Sequence, residues 1–479
     1  MKIAMISPEI GPFAKTGGLA DVVGTLSVAL ERQGHELTLI MPAYRSVLQG
    51  SFSLEDTALK FAVPVSNRHE EAAVLKARLG NKVVVYLVRA NRYFDRESLY
   101  GSAQGDYPDN AERYAFFCRA ALEIVRRHPA DVVHCHDWHS ALAIVFLKTQ
   151  MDRYAELASS KTLFTIHNLG FQGIFGASDW HLLNLEGNLF TPALLEFFGA
   201  INFLKGAVVL ADKITTVSPT YAREIMEAEQ GFGLEGVLRE RAGDIVGILN
   251  GVDYTQWNPE IDPWIAKNYS ADHLTPKASC KKTLQAALGL PVESDTALVG
   301  MISRLTAQKG FDLVEKIFDR LMERRLQVIV LGSGEPRYEH FLTSAARSFP
   351  DQVAVRTGFD EPLAHQIEAG ADIFLMPSFY EPCGLNQMFS LKYATIPIVR
   401  AVGGLKDTVE DYHSEKSAGT GFVFEPYDPG ALLETVDRAL HVFHQKKAWT
   451  ALRRRAMSAD FSWDRSAQAY SNLYERLLS

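Results

Sequence analysis

Short apolar runs rich in β-branched residues recur along the first half of the chain, at 2–7, 36–41, 82–88, 131–134, 161–167, 213–218 and 244–250. Runs of this length predict strands, and the helix-like stretches that alternate with most of them predict βαβ units on a largely parallel sheet. The pattern then restarts at 297–303, 326–332, 352–357, 372–377 and 396–400, again with helical segments such as 311–323 between the runs. Two doubly wound α/β domains are the economical expectation. Residues 250–279, rich in Pro, Asp, Asn and Trp, read as a loop-like junction, and a cleft is expected there. The tail from 462 to 479 spaces Ala467, Tyr470, Leu473 and Leu477 as a helix would, with no partner legible.

The most apolar long window, 193–211, is interrupted by Glu196, Asn202 and Lys205, so it is expected to be a buried helix rather than a membrane span. Length agrees with more than one core: 479 residues suggest two or three domains. A net charge of −8 argues against nucleic-acid binding, and an anionic small ligand needs a local basic pocket. Cys118, Cys135, Cys280 and Cys383 are scattered without CxxC spacing, which fits reduced thiols and a cytoplasmic compartment. Met1 and Lys2 lead straight into a strand, so a signal peptide is not expected.

Chemistry gathers where strands end. After the first strand comes Lys15-Thr16-Gly17-Gly18-Leu19-Ala20-Asp21-Val22-Val23-Gly24. Glycines there let backbone N–H groups approach an anion, the following helix offers its positive end, and Lys15 adds a full charge, a pattern suited to a diphosphate. Residues 131–139 pack His134, His136, His139 and Asp137 at a strand end. Alternation puts His134 and His136 on one face, yet zinc wants three or four convergent ligands. Sugar binding fits better, with Asp137 accepting from hydroxyls and Trp138 offering an apolar face. Residues 164–173 are another strand running into a glycine-bearing loop, with His167 at the strand's carboxyl end, where open α/β sheets bind ligands.

In the second half, Arg304 and Lys309 stand five residues apart in the loop after its first strand, placed to face a leaving diphosphate. Residues 377–387 follow another strand, and Glu381, which precedes a proline, is expected to point off its tip. Cys383 has no histidine nearby in sequence to activate it, so a packing or backbone-contact role is preferred. Gly403-Gly404-Leu405 repeats the Gly17-Gly18-Leu19 theme, which suggests that each half offers backbone N–H groups to one ligand.

Taken in order, KTGGLADVVG, HCHDWHS, TIHNLGFQG, ILNGVD, SRLTAQKG, EPCGLNQ and VGGLKDTV resemble the bacterial glycogen synthase and plant starch synthase family, over Lys15 to Val409. The resemblance implies a GT-B fold: an N-terminal Rossmann-like domain at 1–245, a nucleotide-sugar-binding domain at 250–458, and a C-terminal helix, 459–479, returning to the first. It implies retaining transfer of glucose from ADP-glucose to the non-reducing 4-hydroxyl of an α-1,4-glucan (glycogen or maltodextrin), without a metal or other cofactor. By position, Lys15 and the Gly18 backbone contact the donor phosphates, and Arg304 and Lys309 neutralise departing ADP. Asp137, His167 and Asn250 hold the glucosyl unit, Glu381 orients it, and the backbone of Cys383, Gly384, Leu385 and Asn386 binds sugar and phosphates.

Two departures touch the donor pocket: Asn386 stands where a threonine is usual, and Phe379-Tyr380 replaces an Arg-Phe pair. Phe389 occupies the place where many other GT-B enzymes keep a second glutamate, an acid that glycogen and starch synthases commonly lack. The alternatives are a retaining GT-B enzyme using UDP-glucose or a small acceptor, and a catalytically silent glucan-binding homologue. Closure of the domains on the donor is a further expectation.

Overall fold

The computed structural model describes residues 1–102, 104–413, 415 and 418–479. It resolves into two compact units: one of Met1–Val217, Ala222–Gly251 and Trp463–Ser479, the other of Ser218–Tyr221 and Val252–Ser462. Each is a Rossmann-like doubly wound layer of strands and helices.

The first unit is built on β1 (Lys2–Ile6), β2 (Glu36–Pro42), β3 (Glu55–Val65), β4 (Arg68–Leu79), β5 (Val83–Arg89), β6 (Val132–His136), β7 (Lys161–Ile166), β8 (Lys213–Thr216) and β9 (Ile245–Gly247). Their order is β9-β8-β7-β6-β1-β2-β5-β4-β3. The seven strands from β9 to β5 run parallel, while β4 is antiparallel to β5 and to β3. Residues 3–6 of β1 are at most 1% exposed, as befits a strand with helices on both faces. The β3–β4 hairpin was not foreseen. It is an edge with a wet face, so its residues alternate and carry charges instead of forming an apolar run.

Residues 193–211 correct the helix expectation. A short ribbon pairs Glu196–Phe197 with Ala200–Asn202 around Gly199 (φ +80°), and only Phe203–Leu210 is helical. The polar interruptions cause this: Asn202 caps the helix by accepting from the Lys205 N–H (2.9 Å), and Gly199 supplies the turn. The tail forms the helix Trp463–Leu478, burying Ala467, Tyr470, Leu473 and Tyr474 and packing on the helix Gly18–Arg32.

The second unit is a six-stranded sheet of β10 (Ala297–Ile302), β11 (Leu326–Gly332), β12 (Val353–Thr357), β13 (Ile373–Met376), β14 (Ile396–Arg400) and β15 (Phe422–Phe424). All its strands are parallel, in the order β12-β11-β10-β13-β14-β15. Before the helix Lys277–Ala287, the junction residues make turns and no strand, but they are not loose. Asp262 accepts from Tyr393 Oη (2.5 Å) and pairs with His365 Nδ1 (2.7 Å). Trp257 lies between the rings of His365 (3.8 Å) and Phe389 (4.0 Å), so Phe389 serves as a stacking surface.

Both sheets have a point where the strand order reverses. In the first, β1 stands between β2 and β6; in the second, β10 stands between β11 and β13. Crossovers leave such a point in opposite directions, opening a crevice at the carboxyl ends of the two strands where ligands bind.

Candidate active site

Four loops leave the carboxyl ends at these two reversal points, after β1, β6, β10 and β13. Of the residues expected to bind or act on a ligand, all but His167, Asn250 and the Gly403–Leu405 turn, which follows β14, lie in or directly after them.

In the first unit the loop after β1 is held by a carboxylate that sequence reading overlooked. Glu9, 3% exposed, accepts from Thr16 Oγ1 (2.6 Å), the Thr16 N–H (2.5 Å) and Tyr100 Oη (2.5 Å). Gly24 lets the loop lie against the helix Gly18–Arg32, since a Cβ there would stand 2.5 Å from the Gly11 carbonyl oxygen. Thus clamped, Lys15 to Gly18 remain exposed, and Lys15 Nζ reaches Asp21 at 2.8 Å. With both side chains more than 40% exposed, that pair contributes about 1 kcal/mol or less and yields readily to a stronger anion. Glu9 stands three residues after β1, which was its only signal; Tyr100 lies 91 residues further on, beyond any spacing rule.

After β6, Asp137 has φ +55° and ψ 178°, a conformation that costs an L residue on the order of 1–3 kcal/mol. The strain turns its carboxylate back to accept the His167 N–H at 2.8 Å. Burial pushes the carboxyl up to about 7, although the His167 and Asn168 N–H groups pull the other way. His167 Nε2 lies 3.0 Å from His136 Nδ1, and burial holds the His167 ring down at about 3, so it is neutral.

His134 takes a different place from its neighbours. Its ring nitrogens are engaged by Tyr474 Oη (2.8 Å) and Thr165 Oγ1 (2.6 Å), which ties the C-terminal helix to the sheet. No group of three His, Cys, Asp or Glu side chains among the described residues could hold a metal ion. Trp138 corrects an expectation: it is 9% exposed, stacked on His139 (3.8 Å) and edge-on to Tyr114 (5.0 Å) and Phe175 (5.6 Å). It supports the strand end and offers no free face to a sugar. Asn250 is 6% exposed, and its Oδ1 has no hydrogen-bond partner among the described residues.

In the second unit Lys309 and Glu381 meet directly, Nζ to Oε2 at 2.6 Å, with Ser378 Oγ donating to the same carboxylate (3.1 Å). Glu381 is 5% exposed, so its side chain does not project freely from the strand tip as the following proline suggested. The loop containing Arg304 and Lys309 is stitched to the one containing Glu381: the Phe379 N–H donates to Gln308 O (2.8 Å), and Gly310, at φ +80°, has room for no Cβ because Pro377 O would lie 2.1 Å away. Arg304 is exposed and donates to Gln308 Oε1 (3.2 Å).

Cys383 is buried and in no disulfide. Gly384 adopts φ +69°, where a Cβ would strike the Gln387 side chain at 2.5 Å. Leu385 leads into the helix Asn386–Lys392, and Asn386 Nδ2 donates to Ile302 O (2.8 Å), binding this turn to the end of β10. The Asn386 side chain is therefore committed to the protein, leaving its backbone for a ligand.

The second Gly-Gly-Leu sequence corrects a further expectation. The Gly404 N–H is spent on Glu381 O (3.2 Å) and Pro382 O (3.1 Å) rather than offered outward. A Cβ on Gly403 would lie 1.9 Å from Glu381 O, and one on Gly404 2.1 Å from Cys383 O. These glycines let the Glu381 loop lie against the helix Gly403–Thr408.

Residues 2–240 match the family described as "Starch synthase catalytic domain", and residues 289–451 match "Glycosyl transferases group 1". The chain is 47% identical to a glycogen synthase of Koribacter versatilis, covering 99% of this chain and 98% of that one. It is also 47% identical to a glycogen synthase of an Anaeromyxobacter species, covering 100% and 99% respectively. Among solved structures it is similar to the catalytic domain of starch synthase IV from Arabidopsis thaliana bound to ADP and acarbose, with a TM-score of 0.90, 32% identity and 99% coverage of each chain. Sucrose-phosphate synthase from Thermosynechococcus elongatus shares the fold, with a TM-score of 0.62 at 18% identity.

Proposed function

Because this chain belongs to the glycogen synthase and starch synthase family of GT-B glycosyltransferases, we propose that it transfers glucose from ADP-glucose to the 4-hydroxyl at the non-reducing end of an α-1,4-glucan, with retention at the anomeric carbon. The observation that carries the reading is the Lys309–Glu381 pair at a sheet reversal point, with Arg304 in the same stitched loops. A departing nucleoside diphosphate needs fixed positive charge; a glucosyl ring needs a rigid acceptor for its hydroxyls. The pair supplies one of each.

Lys309 and Arg304 neutralise charge on the leaving diphosphate, and Lys15 with the Gly18 backbone adds to it. Such preorganised donors are each worth about 2.7–4 kcal/mol of transition-state stabilisation. Glu381 accepts from sugar hydroxyls while Lys309 and Ser378 fix its orientation. Asp137 and Asn250 hold the glucosyl unit, and the Cys383–Asn386 backbone binds sugar and phosphate. His167, being neutral, shelters an oxocarbenium-like state without repelling it.

Asp137 and Glu381 are both engaged by protein donors, which favours displacement on one face of the sugar over attack by a carboxylate. In that step the bond from C1 to the diphosphate oxygen breaks and the bond from C1 to the acceptor oxygen forms. The acceptor proton passes to a donor phosphate oxygen and leaves with ADP.

Incubation with radiolabelled ADP-glucose or, separately, UDP-glucose, plus glycogen, tests the reading by counting polymer-bound label. Label is expected from ADP-glucose and is expected to survive a chelator, because Arg and Lys do the neutralising. Glu381→Ala, Arg304→Ala and Lys15→Ala should each lower turnover by about 10²–10³-fold. Glycogen binding without release of ADP would identify a silent binder, and label from UDP-glucose alone would reassign the donor.

A further inference from the structure

At the opposite end of the β13 strand from the Glu381 loop lies a cavity of about 780 Å³, walled by one face of the helix Lys277–Ala287 and one face of the helix Lys446–Ser458. Its lining carries six cations against two carboxylates, Asp272 and Asp372, in a chain whose net charge is −8. That imbalance is local and built from helical spacing: Lys446, Thr450, Arg453 and Arg454 occupy one side of their helix.

Two of the six cations are already used. Lys277 Nζ donates to Ala369 O (2.8 Å) and Thr395 Oγ1 (2.7 Å), and Lys281 pairs with Asp372 at 2.7 Å. Of the other four, two are free of ion pairs and two are each held by a single polar contact. Lys282 and Arg454 are exposed and have no ion pair among the described residues. Arg453 places its Nε on Ala394 O (3.2 Å). Lys446 reaches Asp295 (3.0 Å), but both side chains are 62% exposed, so water and salt screen that pair heavily. A second sign of a missing partner is Trp449, which lines the cavity, is 3% exposed, and has an indole N–H without a hydrogen-bond partner among the described residues. Both helices also begin here, adding the positive ends of their dipoles.

We propose that this cavity binds a small polyphosphate, a compound carrying two or more linked phosphates. Lys282 and Arg454, joined by Lys446 from its solvent-screened pair and by the remaining guanidinium N–H groups of Arg453, match three or four negative charges better than the two of a single phosphate. The forks of Arg453 and Arg454 suit paired phosphate oxygens. The volume lies within the range of small-molecule sites and exceeds what one inorganic phosphate fills. The site is separate from the donor-handling loops and does not depend on the activity proposed above.

Tripolyphosphate is titrated calorimetrically into three full-length chains at fixed ionic strength: the native protein, Lys282→Ala with Arg454→Ala, and Arg304→Ala. Because Lys282 and Arg454 are exposed, their removal leaves the fold intact, which circular dichroism checks. Saturable binding of about one equivalent is expected to survive Arg304→Ala unchanged and to weaken at least tenfold in the double variant, as loss of two charged contacts requires. Inorganic phosphate should bind at least tenfold more weakly than tripolyphosphate to the native chain. The proposal is overturned by an absence of saturable binding in the native chain, by equal affinity in the double variant, by loss of binding with Arg304→Ala, or by phosphate binding as tightly as tripolyphosphate.

Discussion

Gly17-Gly18-Leu19 and Gly403-Gly404-Leu405 are the same tripeptide, each entering a helix, and they do opposite things. Around Gly17 no atom stands within 4 Å of where a Cβ would be, its backbone is extended at φ −161°, and both glycines are exposed. Gly403 is left-handed at φ +42°, buried, and pressed on the Glu381 carbonyl. The first pair keeps side chains away from space that something else is to enter; the second lets two pieces of protein touch. A glycine motif therefore reports a close approach without saying whether the partner is a ligand or the chain itself.

Breaking the second pair should have the larger effect by far. Gly403→Ala places a methyl where the Glu381 carbonyl lies 1.9 Å away, in a conformation alanine resists. A loss of about 4 kcal/mol or more is expected in urea unfolding, among the severe class for single substitutions. Since the displaced backbone belongs to Glu381, transfer activity should disappear with it. A Gly403→Ala protein of native stability and rate would remove the idea that these glycines set the Glu381 loop.

The two reversal points differ in their charges as well. Beside the reversal point of the first unit, Asp137 and His167 are held neutral or nearly so by burial, up to about 7 and down to about 3 respectively. At that of the second, a lysine and a glutamate are joined as an ion pair at 2.6 Å. Acidity can separate the two. Asp137 keeps its proton in the folded chain up to about pH 7 but loses it near 3.8 when unfolded, so from about pH 4 to 7 its contribution to stability falls as pH rises. His134 and His167 act in the opposite sense: folded at about 3 against 6.5 unfolded, they add stability as pH rises from 3 to 6.5. Asp137→Asn removes only the falling component. Relative to the native chain, the variant should gain stability between pH 4 and 8 by up to a few kcal/mol, about 1.4 per pH unit at the steepest. Parallel unfolding curves across that range would show that Asp137 is not held near neutrality.

Much of this was legible in the chain. Parallel strands buried on both faces write themselves as apolar runs, so the alternation named two doubly wound sheets, and polar residues just after those runs named Lys15, Asp137, His167, Lys309 and Glu381. What stayed hidden is of two kinds. The β3–β4 edge has a solvated face and therefore no apolar run. Long-range partners leave no local mark: Glu9 with Tyr100, Lys309 with Glu381, and Trp138 with its ring of aromatics are made by strand order, which no spacing along the chain encodes. The Gly403 pair was misread for the same reason, since its partner is 22 residues earlier in sequence.

The smallest effect is also the sharpest test of the first glycine pair. Gly17 is the residue before the helix Gly18–Arg32 and makes no side-chain cap. Serine fits its extended backbone and open surroundings, and its hydroxyl oxygen can accept an N–H of the first helical turn. Gly17→Ser should therefore leave stability unchanged or raise it by a few tenths of a kcal/mol, the usual difference between these residues at a helix start. Those same N–H groups are the ones a diphosphate must meet if the loop binds the donor. The variant is then expected to unfold at slightly higher urea while its KM for ADP-glucose rises several-fold. A better-capped helix with an unchanged KM would place the diphosphate elsewhere and leave Gly17 with no role beyond the turn.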